Sequence, residues 1–314
     1  MPRLATPLRT IRVALLVCGE LAQNVVAKHG DLLSVYRRWL NKSLPRYSGA
    51  RLVMHGYDVT QMKYPKEPQL PQYDVVMLTG SPGDAWGEDP WIRRLVSYMQ
   101  HVGDKHSNVK IYGICFGHQI VSRALGGTVQ RNAQGWELGS TTVNMTKVGQ
   151  MLLGAQEVNL QQVHQDHSPL SSHSSSLTSG DIHLLGYTEN TDNHGLVKFY
   201  SYINPDYADQ SYSGHLLKHV HVITVQGHPE FTDTLTADIT RELHGKDANN
   251  IRDGIKAVGD AERNVHGLTT NASRIDENEV AGLRKDDGVD IVGKAFWRMF
   301  GIQGGNIRKR RFLP

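Results

Sequence analysis

Apolar positions in this chain fall into short, almost unbroken runs separated by longer stretches with helical spacing. Ile11 to Cys18 is nearly continuous, and Tyr73 to Thr79 and the run ending at Ile114 are built alike. Arg51 to His55 is a shorter strand-like segment, and Val220 to Val225 alternates. A strand reads as an unbroken apolar run when both of its faces are covered, as for a parallel strand between two helical layers. The intervening stretches supply those layers. Leu32, Leu33, Tyr36 and Leu40 can share one face of a helix over residues 29–40, and further helices are predicted over 90–101, 234–244 and 291–300. Other strands are predicted at 128–129, 141–145, 182–187 and 196–201. Loops fall at 65–71, 169–180 and 201–214, where Pro, Gly, Ser and polar residues collect. The alternation predicts an α/β fold: an open, mostly parallel sheet with helices on both faces, a flavodoxin-like three-layer sandwich.

The 314 residues allow one large domain or two small ones. The pattern divides them into a leader (1–9), an α/β domain (10–244) and a helical extension (245–314) that ends in the basic run Arg308 to Arg311. Residues 246–277 are charged and lack an apolar stripe, so they are expected to be partly mobile. A net charge of +3 is small for this length and argues neither for nor against a nucleic-acid partner; none is expected. No apolar run approaches the roughly 18 residues that would span a bilayer, so neither is a membrane partner. The only cysteines are Cys18 and Cys115. If Cys115 is a nucleophile, a disulfide between them would inactivate it, which points to a reducing, cytoplasmic compartment. The basic end is compatible with a nuclear address, although a solvated tail is the preferred reading.

The chemistry concentrates in two places. After the apolar run come Gly113-Ile114-Cys115-Phe116-Gly117-His118-Gln119 and then helix-compatible residues. Glycines two before and two after the cysteine mark a sharp strand-to-helix turn, a nucleophile elbow. Such a turn strains the central residue and lifts its side chain clear of the sheet. The helix behind it points its positive end at the thiol and favours thiolate. A lone buried cysteine is more often a small hydrophobe, so the second place matters. Val220 to Val225 runs into Gln226-Gly227-His228-Pro229-Glu230-Phe231. On an extended segment His228 and Glu230 would face the same way. A histidine beside a thiol, oriented by a carboxylate, is what nucleophilic catalysis needs.

Together, Gly-Ile-Cys-Phe-Gly-His-Gln and, about 110 residues later, Gln-Gly-His-Pro-Glu-Phe resemble the class I glutamine amidotransferases and the related γ-glutamyl peptidases. The resemblance covers roughly residues 10 to 236. It implies a triad of Cys115, His228 and Glu230 acting on a small-molecule γ-glutamyl substrate, with no cofactor. It also implies an oxyanion loop at Gly80-Ser81-Pro82, where serine replaces a family glycine. The N–H groups of Ser81 and Phe116 are the expected oxyanion donors, and Gly80 and Gln119 are candidate substrate-loop residues. Gly135-Trp136-Glu137-Leu138-Gly139 matches a family stretch near the substrate entrance, although a surface turn is the simpler reading of Glu137. His164, Asp166 and His167 suggest a metal, but zinc sites need three or four ligands with supporting partners. The family has a similar His-x-Asp loop beside its active site, so no metal is expected.

No ATP pyrophosphatase loop and no P-loop appears. The expectation is a free-standing hydrolase that cleaves a γ-glutamyl amide. A glutaminase subunit feeding ammonia to a partner synthase, and a non-catalytic binding or regulatory protein of the same fold, remain as alternatives. An α/β-hydrolase triad fits less well, because its acid precedes the histidine, whereas Glu230 follows His228 by two.

Overall fold

The computed structural model describes residues 8–200, 216–244 and 288–304. Strand β1 (Arg9–Val17) leads through α1 (Gln23–His29) and α2 (Leu32–Ser43) to β2 (Ala50–Asp58). β3 (Val75–Leu78), α3 (Pro90–Lys105), β4 (Lys110–Ile114) and α4 (Phe116–Ala124) follow. Shorter pieces come next: β5 (Gln130–Arg131), β6 (Glu137–Met145), α5 (Lys147–Leu153), β7 (Glu157–His164) and β8 (Asp166–His167). After them come α6 (Ser174–Ser179), β9 (His183–Leu184) and β10 (Gly186–Tyr187). β11 (Leu196–Phe199), β12 (Val220–Val225), α7 (Asp233–His244) and α8 (Gly288–Met299) complete the described elements.

Seven strands form one sheet in the order β2-β1-β3-β4-β12-β11-β9. The first five run parallel, and β11 and β9 are added antiparallel at one edge. The unbroken apolar runs are explained by this placement. In β1, Ile11, Val13 and Leu15 enter one core layer with α2 and α8, while Ala14 and Leu16 enter the other with α3 and α4. The α/β three-layer expectation therefore holds. A second, antiparallel sheet, β10-β6-β7, and a two-stranded ribbon, β5-β8, flank it.

Several boundaries differ from expectation. The helix expected over 29–40 is α2, which runs from Leu32 to Ser43, and an additional helix, α1, ends before it at Gly30, whose φ of 82° suits glycine. Asp31 restarts the chain as an N-cap, its carboxylate accepting from the Ser34 N–H at 2.8 Å. The strand expected at 182–187 splits between two sheets, with β9 in the large one and β10 in the small one. The strand expected at 128–129 lies two residues later, at Gln130–Arg131. The expected loop over 169–180 contains α6 and the buried His173. Helix α8, predicted within the C-terminal extension, is part of the main core rather than an appendage. Trp297 and Phe296 are fully buried, the Trp297 indole N–H donates to the Leu40 carbonyl at 2.9 Å, and Phe296 meets Tyr112 edge-on. Burying a side chain such as Phe296 contributes about 1.5–3 kcal/mol. The loop expected at 201–214, the mobile stretch at 246–277 and the basic end lie outside the described residues.

Candidate active site

The carboxyl ends of β3, β4 and β12 converge on one edge of the sheet, where sites of open α/β sheets form. At the end of β4, Cys115 caps α4 with φ 53° and ψ −110°, a conformation rare outside glycine. Strain of this kind costs about 1–3 kcal/mol and persists only where the surroundings enforce it. Here they do. The Cys115 N–H donates to the Val225 carbonyl at 2.9 Å, and its carbonyl accepts from Gln119 N–H at 3.1 Å. The flanking glycines permit the close packing of the turn. A Cβ on Gly113 would lie 2.5 Å from the Gly117 oxygen, and one on Gly117 would lie 2.6 Å from Leu78 Cβ.

His228 follows β12, which lies beside β4 with Val225 opposite Ile114. The segment is not extended as far as Glu230. Beyond Val225 the chain turns, anchored where the His228 N–H donates to the Gln161 carbonyl at 2.8 Å. The turn still joins the two side chains, with His228 Nδ1 2.8 Å from Glu230 Oε1. That bond aims Nε2 at Cys115. The ring stacks on Phe231 at a centroid distance of 4.0 Å and lies against Gly80, where a Cβ would come within 2.8 Å of Cε1. Burial opposes charging His228, but the Cys115 sulfur and the Glu230 carboxylate outweigh it and raise the imidazole to about 10. The geometry therefore favours an imidazolium facing the sulfur.

The loop after β3 is held from three sides. Thr79 Oγ1 accepts from the Cys18 N–H at 3.0 Å and donates to the Gly80 carbonyl at 2.8 Å. The Ser81 hydroxyl accepts from the Gly83 N–H at 3.0 Å, so the serine closes the turn instead of disturbing it. The Gly80 N–H donates to the Tyr36 hydroxyl at 3.3 Å. The N–H groups of Ser81 and Phe116 have no hydrogen-bond acceptor among the described residues. Gln119 reaches the site wall, but its amide N–H donates to the Asp166 carbonyl at 2.8 Å and to Gln226 at 3.1 Å.

These groups open into a cavity of about 430 Å³, within the range of small-molecule sites. Trp136, His164 and Asp166 line it, as do the apolar Leu21, Val25, Phe231 and Ile239 and the charged Glu20 and Glu242. Arg131 at the mouth pairs with Asp84 and Asp166. Glu137 is not on a surface turn but is 3% exposed. Its Oε2 lies 3.0 Å from His164 Nε2 and 2.9 Å from His194 Nε2, and Thr188 donates to Oε1 at 2.6 Å. Burial opposes the Glu137 charge, but the two imidazoles outweigh it and hold the carboxyl below its usual range. The three ligand atoms lie within 4.8 Å of one another. As a donor set they could hold a metal, yet the carboxylate is already engaged by all three neighbours, so the group reads as a brace for the cavity wall. The structure separates Asp166 and His167 from it: Asp166 binds the Trp86 indole at 3.0 Å, and His167 faces Asp192. A second group, Glu67, His101 and His106, lies away from the cavity and is bonded within itself.

The sequence reading did not single out Glu137, His194 or Arg131 as site residues, and it placed Tyr36 only on a helix face. Their partners lie tens of residues away; only Glu137 stood in a local signal, the Gly-Trp-Glu-x-Gly stretch resembling one near the family's substrate entrance.

A family model for class I glutamine amidotransferases matches residues 40–244. A glutamine amidotransferase-like protein of Schizosaccharomyces pombe is 30% identical over 236 residues, 74% of this chain and 84% of the relative. Gamma-glutamyl peptidase 3 of Arabidopsis thaliana is 36% identical over 98 residues, 31% of this chain and 39% of the relative. A solved glutamine amidotransferase of Thermotoga maritima superposes with a TM-score of 0.57 at 16% identity, covering 93% of this chain and 98% of that one. That last likeness is one of fold.

Proposed function

This chain belongs to the class I glutamine amidotransferase family, and from that premise we propose that it hydrolyses γ-glutamyl amide bonds through a thioester on Cys115. The observation that carries the proposal is the imidazole of His228, fixed at 2.8 Å by Glu230 and turned toward the sulfur at a strained elbow. The Cys115 thiolate attacks the γ-carbonyl carbon. The N–H groups of Ser81 and Phe116 receive the oxyanion, each such donor being worth about 2.7–4 kcal/mol. As the tetrahedral adduct collapses, the C–N bond breaks and His228 gives its proton to the leaving amine. Water then enters, His228 takes a proton from it, and the thioester C–S bond breaks to release glutamate and restore the thiolate. Glu230 keeps the imidazole in the orientation that serves both steps. No cofactor or metal has a part in this sequence.

The substrate we propose is a γ-glutamyl peptide or conjugate, acted on by the chain alone. The leaving amine must lie on the His228 side, and there Phe231, stacked on the imidazole, packs with Val25, Leu21 and Ile239 into an apolar part of the wall, although Glu20 and Glu242 also line the cavity. Ammonia, the leaving group from glutamine, has no use for such a wall. The match to a protein named a gamma-glutamyl peptidase agrees with this choice. In a glutaminase subunit the oxyanion loop is often completed by its partner. Here Thr79, Ser81 and Tyr36 already brace the loop within one chain. A purely binding role would not require all three of Cys115, His228 and Glu230. The test is turnover by the purified chain of γ-glutamyl dipeptides and of glutamine, with Cys115→Ser as control. Cleavage of a γ-glutamyl peptide that Cys115→Ser abolishes supports the proposal. Turnover that begins only when a synthase is added would replace it with the subunit reading.

A further inference from the structure

The two oxygens of the buried Glu230 carboxylate are treated differently. Oε1 holds His228, whereas Oε2 has no hydrogen-bond partner among the described residues. Leaving a buried carboxylate oxygen without a donor is costly, because water cannot compensate it. The phenol of Tyr36 lies close to this carboxylate. Tyr36 is fully buried, its ring edge-on to Trp39 at 6.2 Å on α2. Burial first, and then the neighbouring Glu230 charge, push ionisation of the phenol well above its ordinary range. The hydroxyl therefore keeps its proton. One lone pair already accepts from the Gly80 N–H at 3.3 Å. The proton still needs an acceptor, and Glu230 is the hydrogen-bonding carboxylate within its reach.

We propose that Tyr36 is a positioning residue that donates to Glu230 Oε2 while accepting from the Gly80 N–H. It thereby ties the acid of the triad to the loop that carries the Ser81 oxyanion donor. This rests on the reading of Cys115, His228 and Glu230 as a triad. The loop follows β3 and the acid follows β12, which are not adjacent in the sheet. A single rigid phenol on α2 spans them and sets the distance between the oxyanion donors and the imidazole. Because it supplies a donor to the carboxylate that holds Nδ1, it also bears on the charge balance between His228 and the sulfur.

The test is Tyr36→Phe, which removes one oxygen and leaves the ring in its packing; the unfolding midpoint checks that the variant folds. We expect kcat for a γ-glutamyl peptide to fall about tenfold, as for loss of one hydrogen bond to a charged group, with little change in KM. A merely structural role would not move a second readout, the pH dependence of Cys115 alkylation by iodoacetamide. The profile should shift in Tyr36→Phe, because the carboxylate paired with His228 has lost a donor. On a Glu230→Gln background the same substitution should have almost no further effect on alkylation. An unshifted alkylation profile, or an equal effect with and without the Glu230 carboxylate, would overturn the proposal. If the wild-type chain cleaves no γ-glutamyl substrate, the proposed reaction fails, and the alkylation series still decides the role of Tyr36.

Discussion

The ends of β1 and β4 carry the two cysteines of this chain, and they differ in everything except burial. Cys18 is 1% exposed and Cys115 is 5% exposed, and both thiols are free. At the end of β1 the Cys18 N–H meets Thr79, and its thiol donates to the Leu16 carbonyl at 3.4 Å. Among the described residues no cation acts on it, and burial drives its thiol up to about 12. At the end of β4 the chain turns through a positive φ into a helix N-terminus, and the sulfur faces the His228 imidazole. Burial without a partner makes a thiol inert; burial beside a fixed imidazolium makes an ion pair available for chemistry. The difference lies in the backbone of the turn and in the partner, not in the residue.

The comparison breaks most visibly on exchange of each sulfur for oxygen. Cys115→Ser should lower turnover at least ~10⁴-fold, the scale seen when a triad member is removed. Cys18→Ser should leave kcat/KM nearly unchanged, at a stability cost of about 1–3 kcal/mol for burying a hydroxyl among apolar groups. Equal losses of turnover in the two variants would remove the distinction. The turn itself is tested by Gly117→Ala, whose methyl must enter space held by Leu78. Overpacking of this kind costs about 1–3 kcal/mol, and denaturant unfolding should show that loss together with a fall in activity.

A gentler probe is pH. His228 is raised from 6.5 to about 10, so its charge contributes stability that is fully present below pH 6.5 and is lost as pH rises through about 10. The rate should hold through neutrality and decline on an alkaline limb near that upper value. A limb near pH 6.5 in kcat/KM would mean that the imidazole is not paired as described. The smallest expected effect is that of a chelator. Dialysis against a strong chelator should leave activity unchanged, because Glu137, His164 and His194 brace one another. Loss of activity, restored by zinc, would make them ligands.

The strands of the main sheet were legible because parallel strands buried on both faces leave unbroken apolar runs, as in Ile11 to Cys18. The convergence of Cys115 and His228 was legible because each lies just beyond such a run, in a short motif with its own turn chemistry. Residues 128–195 were much less so. Their strands divide among three sheets, polar residues interrupt the long β6 and β7, and their contacts join positions far apart in the chain. Glu137 shows why: it stands in a Gly-flanked stretch that resembles a surface turn, yet it is buried against His164 at the end of β7 and His194 in the connection before β11. Tyr36 is a related case. Its apolar spacing places its ring in the core, but spacing carries no information about where a hydroxyl points.

The central claim is that Cys115 alone is the reactive thiol of this fold, and it is tested most directly by competitive labelling. The folded chain is treated with limiting glutamine-like chloroketone at neutral pH, and both cysteine-containing peptides are quantified by mass spectrometry over time. The account predicts rapid, stoichiometric modification of Cys115, with Cys18 unmodified until the chain is unfolded, and loss of Cys115 labelling in His228→Ala. Labelling of Cys18 at a comparable rate, or labelling of Cys115 that is indifferent to His228, would contradict it.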